Sequence, residues 1–190
     1  MIEVTRETKE TQISVKLNLY GTGLANINTG VGFYDHMLEA FTKHAHMDME
    51  VNCVGDTHID DHHTVEDVAI VIGQALREAI YPVQNIERFG NATVVMDEAS
   101  ISCDIDLSNR GYLVFELPIG GKVGDFDVEL VEEFFKAFAF NLPLTLHLIY
   151  NRGKNKHHII EGAFKALAVA LRRAVAINEN AGIPSTKGVL

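Results

Sequence analysis

The chain has 190 residues, 47% hydrophobic and 22% charged, so it reads as an ordinary soluble globular protein that needs neither disulfide nor metal merely to fold. Its formal net charge of −10 gives no mean field to attract nucleic acid or an anionic membrane, although a local cationic pocket remains compatible with it. Two cysteines, Cys53 and Cys103, are too few for a disulfide scaffold, no apolar signal core stands in MIEVTRETKE, and no run approaches the ~18 residues of a membrane helix, so a cytoplasmic protein with reduced thiols is expected.

In chain order, IEVTRET and QISVKLNLY alternate with period two and predict half-buried strands, with GTG at 21–23 as a turn. GFYDHMLEAF opens a helix around His36, and MDMEVNCV follows as a strand. HHTVEDVAIVIGQALREAI, from His62, carries apolar residues at three- and four-residue spacing and predicts a long helix. Pro82 to Arg88 is the natural junction. Beyond it NATVVMD, SISCDIDL and GYLVFEL predict strands, NRG at 109–111 a turn, and GGKV at 120–123 a hairpin turn. ELVEEFFKAF around Glu133 predicts a helix, PLTLHLIY a strand, and HHIIEGAFKALAVALRRAV, from His157, a second long helix. AGIPSTKGVL is a glycine- and proline-punctuated loop.

The two long helices align without gaps at an offset of 95, half the chain, with His-His and a glutamate four residues after the first histidine in each. The preceding text repeats as well, since His36 aligns with Glu133 and Glu50 with His147. Each half therefore reads as strands, helix, strand, helix. The expected fold is an internally duplicated α/β two-layer sandwich, with residues 1–85 as the first half and 86–190 as the second half of one compact unit.

Nine histidines without a tag are the outlier in this composition. His62 and Glu66 lie one helical turn apart on one face, which is ligand spacing, and His157 and Glu161 repeat it. His63 and His158 point ~100° away from their neighbours, so each histidine of a pair is expected to serve a different metal. A polar helix N-terminus would explain one such motif, but not two at equivalent places in a repeat, and histidine is a poor choice there for dipole reasons. Mixed imidazole and carboxylate ligands without thiolate fit Mn, Fe or Zn. His36 is a plausible third ligand, with Glu133 as its counterpart. His44, eight residues beyond His36, lies roughly on the same helical face. Asp60 or Asp61 suits a cap. His46 reads as a strand-entry residue and His147 as structural or surface.

GFYDHMLEAFTKH, GDTHIDDHHTVEDVAI, MDEA, GKNKHHIIEGAFKALA and IPSTKGVL together resemble the imidazoleglycerol-phosphate dehydratase family over essentially the whole chain. The resemblance implies ribosomal protein S5 domain 2-like halves, two Mn2+ per active site, a 24-subunit homo-oligomer and the dehydration of imidazole glycerol phosphate in histidine biosynthesis. By that resemblance the metal ligands are His36, His62, His63, Glu66, His157, His158 and Glu161. Family members often carry VEHFF where this chain has VEEFF, which puts Glu133 in the place of a ligand histidine; a carboxylate can substitute at Mn2+. The resemblance further implies that Arg88, Arg110, Ser185 and Lys187 bind the substrate phosphate, that His44 and Lys165 contact substrate, and that Glu10 is the substrate-contacting acid.

The basic positions agree with bottom-up chemistry, because a phosphate wants bidentate arginine and a mobile lysine. In such a reaction the hydrogen lost from carbon is not acidified by a carbonyl, so metals acting as Lewis acids on the imidazole ring and a carboxylate base, Glu10, are expected. Two rivals remain on sequence alone: a dinuclear metallohydrolase, and a metal-storing or structural metal protein without turnover.

Overall fold

A computed structural model describes residues 1–190. The elements are β1 (Ile2–Glu7), β2 (Thr11–Asn18), β3 (Ala25–Asn28), α1 (Gly32–Ala45), β4 (Asp48–Gly55) and α2 (His62–Ile80), then β5 (Phe89–Met96), β6 (Ala99–Asp106), β7 (Tyr112–Glu116), β8 (Lys122–Val123), β9 (Phe126–Asp127), α3 (Leu130–Asn141), β10 (Thr145–Arg152) and α4 (Lys156–Ala174). Two four-stranded sheets form, in the orders β1-β2-β4-β3 and β5-β6-β10-β7. In each, two antiparallel pairings are completed by one parallel pairing at the edge, β3 on β4 and β7 on β10. The halves therefore share one topology, in which a helix joins the two parallel strands, as such a crossover requires. The second half adds only the β8–β9 hairpin. GGKV is not the turn of that hairpin: Lys122 and Val123 are its first strand, and the chain reverses at the next two residues, where Gly124 lies at φ 58°.

β3 is the element that periodicity misses. ANIN is four residues long, and Ile27 is the one large apolar side chain in it, paired with Val51. A period-two signal needs more repeats than that. His46 is not a strand-entry residue but the left-handed C-cap of α1, at φ 56°.

The sheets alternate buried and exposed side chains, as β2 and β5 show, so each offers one face to the helices. The helices then meet across the halves: α1 packs on α4, and α2 on α3. At their junction Phe134 touches Phe164 with ring centroids 4.7 Å apart, and the buried Tyr34 hydroxyl donates to the Val65 carbonyl at 3.2 Å. Neither half buries its helical face alone.

α4 carries buried alanines at 163, 166, 168, 170 and 174, and this thin face lets β5 approach its backbone. The contact leaves no room at Gly90, where a Cβ would sit 2.0 Å from the Ala170 carbonyl oxygen. That atom belongs to a helix backbone and cannot swing aside. Gly90→Ala is therefore expected to lower stability by ~1–3 kcal/mol, the scale of an overpacked core. Thermal unfolding monitored by circular dichroism checks this, and an unchanged Tm would show that the β5–α4 contact is slack.

Candidate active site

Both histidine pairs sit in the first turn of a long helix, held there by a side-chain cap. Asp61 occupies the N-cap position of α2 without a side-chain bond, and Asp60 before it accepts the His62 amide through Oδ1 at 2.8 Å. Asn155 Oδ1 accepts the His157 amide at 2.9 Å at α4.

The predicted one-turn clasp is present in α4, where His157 Nε2 lies 3.0 Å from Glu161 Oε2. α1, packed alongside, brings His36 Nε2 to 3.4 Å from the same oxygen. Ligand atoms of His36, His157 and Glu161 all lie within 4.8 Å of one another. Lys165 Nζ holds the other carboxylate oxygen at 2.6 Å. Burial pushes the Glu161 carboxyl up, but Lys165, His157 and His36 outweigh it and leave its pKa lowered. His44 stands nearby, its pKa lowered by burial and by the charges of Lys165 and Arg172.

The pseudo-symmetric set, His62 and Glu66 on α2 with Glu133 on α3, is looser. His62 Nε2 lies 3.7 Å from Glu66 Oε2, and Glu133 pairs with Lys136 at 3.8 Å. His63 and His158 do turn away from their neighbours, with ring centroids 6.2 Å apart in both pairs. The His63 Nδ1 lies 3.0 Å from Asp56 Oδ2, while its Nε2 lies 3.7 Å from Glu10 Oε1. His158 Nδ1 lies 2.8 Å from Glu98 Oε2. Hydrogen bonds accepted by Asp56 and Glu98 raise the pKa of these two imidazoles. The Asn155 amide, His158 and the Lys154 amide pull Glu98 down to about 2.

Glu10 stands in the β1–β2 turn, which is pinned to α2 from below. The buried Asp67 carboxylate accepts the Thr11 hydroxyl at 2.6 Å and Arg6 Nε at 3.1 Å. This linkage fixes the strand ends on either side of the turn against the helix that carries His63.

Arg88, Arg110, Ser185 and Lys187 converge on one cavity of about 750 Å³. Arg88 grips Asp106 through Nε at 2.7 Å and Nη2 at 3.1 Å, and its Nη1 donates to the Pro184 carbonyl at 2.6 Å. Two of its five N–H groups remain for an anion. The cavity does not adjoin the His36 cluster within this chain. The Arg88 amide bonds the Ala174 carbonyl, at the far end of α4 from His157. Along the helix that is ~26 Å at ~1.5 Å per residue.

Comparison with known proteins shows the family. Residues 29–171 match the family model described as imidazoleglycerol-phosphate dehydratase. A relative of that name from Sulfurovum sp. (strain NBC37-1) is 90% identical over 100% of both chains. The chain belongs to the imidazoleglycerol-phosphate dehydratase family. Solved imidazoleglycerol-phosphate dehydratases share its duplicated fold. The Staphylococcus aureus enzyme has a TM-score of 0.83 at 40% identity, over 93% of this chain and 99% of the other. The Pyrococcus furiosus enzyme, in complex with (S)-C348, has a TM-score of 0.86 at 39% identity, over 98% and 100%. As an imidazoleglycerol-phosphate dehydratase family member the protein is a hydro-lyase.

Two residues of this dehydratase escape sequence reasoning, Asp56 and Glu98. The sequence does hold one signal for Glu98: it immediately precedes β6 as Glu10 immediately precedes β2. Asp56 carries no such mark in a loop already rich in acids. His147 lies mid-strand in β10 and His58 in the exposed loop before α2, neither in the cluster.

The Arg88 geometry yields a direct test. Arg88→Ala deletes the donor to Pro184, a charge-assisted bond worth ~1.5 kcal/mol or more, which corresponds to roughly tenfold in local opening. Amide hydrogen exchange across 182–190 is expected to accelerate by that factor, with α1 to α4 unchanged. Identical exchange would mean that the tail is held by other contacts.

Proposed function

We propose that the protein dehydrates imidazole glycerol phosphate to imidazole acetol phosphate in histidine biosynthesis, using two divalent cations per active site, with Mn2+ as the expected metal. The observation that carries this reading is the meeting of His36, His157 and Glu161 from helices of opposite halves. Two imidazole nitrogens and a carboxylate oxygen, with no thiolate, suit Mn, Fe or Zn, and leave coordination positions for further ligands. His62, Glu66 and Glu133 are the pseudo-symmetric donors, again from helices of opposite halves, and His63 and His158 serve the second kind of site. When bound, the cations supply Lewis-acid stabilisation of charge on the substrate ring.

The protein's own groups do the rest. Glu10 is not engaged in the His36 cluster, its carboxylate is half-exposed, and it faces His63 Nε2. It is placed to take the carbon-bound proton, while the neighbouring hydroxyl departs as water and the resulting enol becomes the ketone. Arg88, Arg110, Ser185 and Lys187 hold the phosphate, and His44 and Lys165 line the ring end of the site.

A three-carbon phosphate chain on an imidazole cannot span the length of α4. The phosphate cavity of one copy therefore serves the metal cluster of another, which supports a large homo-oligomer, 24 subunits by family resemblance. Residues 1–85 and 86–190 act as halves of one catalytic unit in the cytoplasm, without nucleic-acid or membrane partners; no helix is long and apolar enough to cross a membrane.

Turnover assays with product analysis test the whole reading. Ketone should form with its phosphate retained, and release of inorganic phosphate would make the protein a hydrolase instead. Glu10→Gln is expected to keep its metal and its mass while losing roughly 10²–10⁴ in turnover. Near-normal rates would place the base elsewhere. Glu161→Gln, which keeps the size but removes the charge opposing a divalent ion, is expected to lose metal by elemental analysis. Chelation should shift light scattering from a very large species to a small one; unchanged mass would exclude metals that bridge subunits.

A further inference from the structure

Asp56 and Glu98 do the same thing to equivalent histidines from non-equivalent places. Asp56 belongs to the loop between β4 and α2, and both its oxygens lie near His63 Nδ1, at 3.2 and 3.0 Å. Its side chain bonds nothing else. In the second half the loop before α4 offers Asn155 instead, whose side chain is engaged in capping. The ring there is met by Glu98, from the β5–β6 turn. Glu98 Oε2 holds His158 Nδ1 at 2.8 Å, and Oε1 accepts the amides of Lys154 at 3.0 Å and Asn155 at 2.7 Å. The turns explain the exchange of partners. Thr8–Glu10 has one residue more than Asp97–Glu98: the glutamate before β2 faces Nε2 of its histidine at 3.7 Å, whereas the glutamate before β6 reaches Nδ1 and the exposed Asp97 beside it lies 3.9 Å from Nε2.

We propose that Asp56 and Glu98 are positioning residues that hold the proton of His63 and His158 on Nδ1, so that each Nε2 presents its lone pair to a cation. The proposal rests on the reading of both histidines as ligands. A neutral imidazole carries one proton, and an ionised carboxylate can only accept, so a carboxylate at Nδ1 decides the tautomer. It also fixes the ring plane and raises the basicity of Nε2. Because Asp56 takes this task in the first half, Glu10 is left free there. Glu98, its counterpart, is not: it ties the start of α4 and the ring of His158 into one unit.

The tests separate this role from structural support. In Glu98→Gln, Oε1 can still accept both amides while the new NH2 group faces His158 Nδ1. An amide donor there demands a lone pair on Nδ1 and drives the proton to Nε2. Asp56→Ala removes the acceptor from His63 and disturbs no backbone contact. Two-bond ¹H–¹⁵N correlation spectra of chelated protein at pH 9 read the tautomers. Protons on Nδ1 are expected in the unsubstituted protein, and on Nε2 for His158 in Glu98→Gln. Titration with Mn2+, followed by the electron paramagnetic resonance of the free ion, should show both variants binding roughly 10–100-fold more weakly. Unmoved tautomers, or unmoved affinity in both variants, overturn the proposal. His158→Ala distinguishes its failure from that of the ligand reading. If that variant loses Mn2+ while Glu98→Gln keeps full affinity, positioning is wrong and ligation stands. If His158→Ala keeps its Mn2+, ligation itself falls and the proposal with it.

Discussion

The carboxylate of Glu161 is the point on which the two halves of the molecule converge. It is buried, yet it stays anionic because Lys165 holds one oxygen and His157 and His36 approach the other. An isolated carboxylate in that position would be costly to ionise, and the surrounding cations and donors offset the desolvation. The cluster exists only because α1 of one half lies against α4 of the other. Its integrity is thus a property of the inter-half packing, in which the aromatic side chains of α1, α3 and α4 interlock.

Duplication supplies two of everything, but the copies have diverged in what they hold. The first half contributes His36 to the cluster around Glu161; the second has Glu133 at the equivalent place, turned toward Lys136. One half assigns the orienting of the second histidine to Asp56, the other to Glu98. A single-residue difference in hairpin length separates Glu10, whose carboxylate accepts no hydrogen bond, from Glu98, which is fully engaged in backbone and imidazole hydrogen bonds. Small changes in turn geometry have large chemical consequences here, because side chains reach only a few ångströms from the backbone that places them.

The distribution of charge follows the same logic. A protein with a formal net charge of −10 concentrates Arg88, Arg110 and Lys187 around one cavity, and neutralises part of Arg88 with Asp106. The tail that carries Ser185 and Lys187 is anchored by Arg88 itself, so a cationic side chain of the cavity also builds its wall. The His36–His157–Glu161 cluster lies at the opposite end of α4. The helix is a spacer between two kinds of chemistry as much as a core element.

Much of this was legible in the residues. The repeat, the two long helices and the clasp of a histidine with the glutamate four residues later are local, periodic features, and a helix's pitch alone places His157 over Glu161. Caps and strands followed the same rule wherever the pattern ran long enough, and failed at ANIN, where four residues carry too little period, and at His46, where the helix ended in a left-handed turn. What the sequence could not decide was anything set by how elements of opposite halves meet. That His36 joins His157 and Glu161 while Glu133 stays with Lys136, that Asp56 and Glu98 reach the same ring atom from different loops, and that the Arg88 cavity lies a helix length from the His36 cluster all depend on tertiary packing. Local periodicity determines which face of an element a side chain occupies; only the assembled core determines what that face is pressed against.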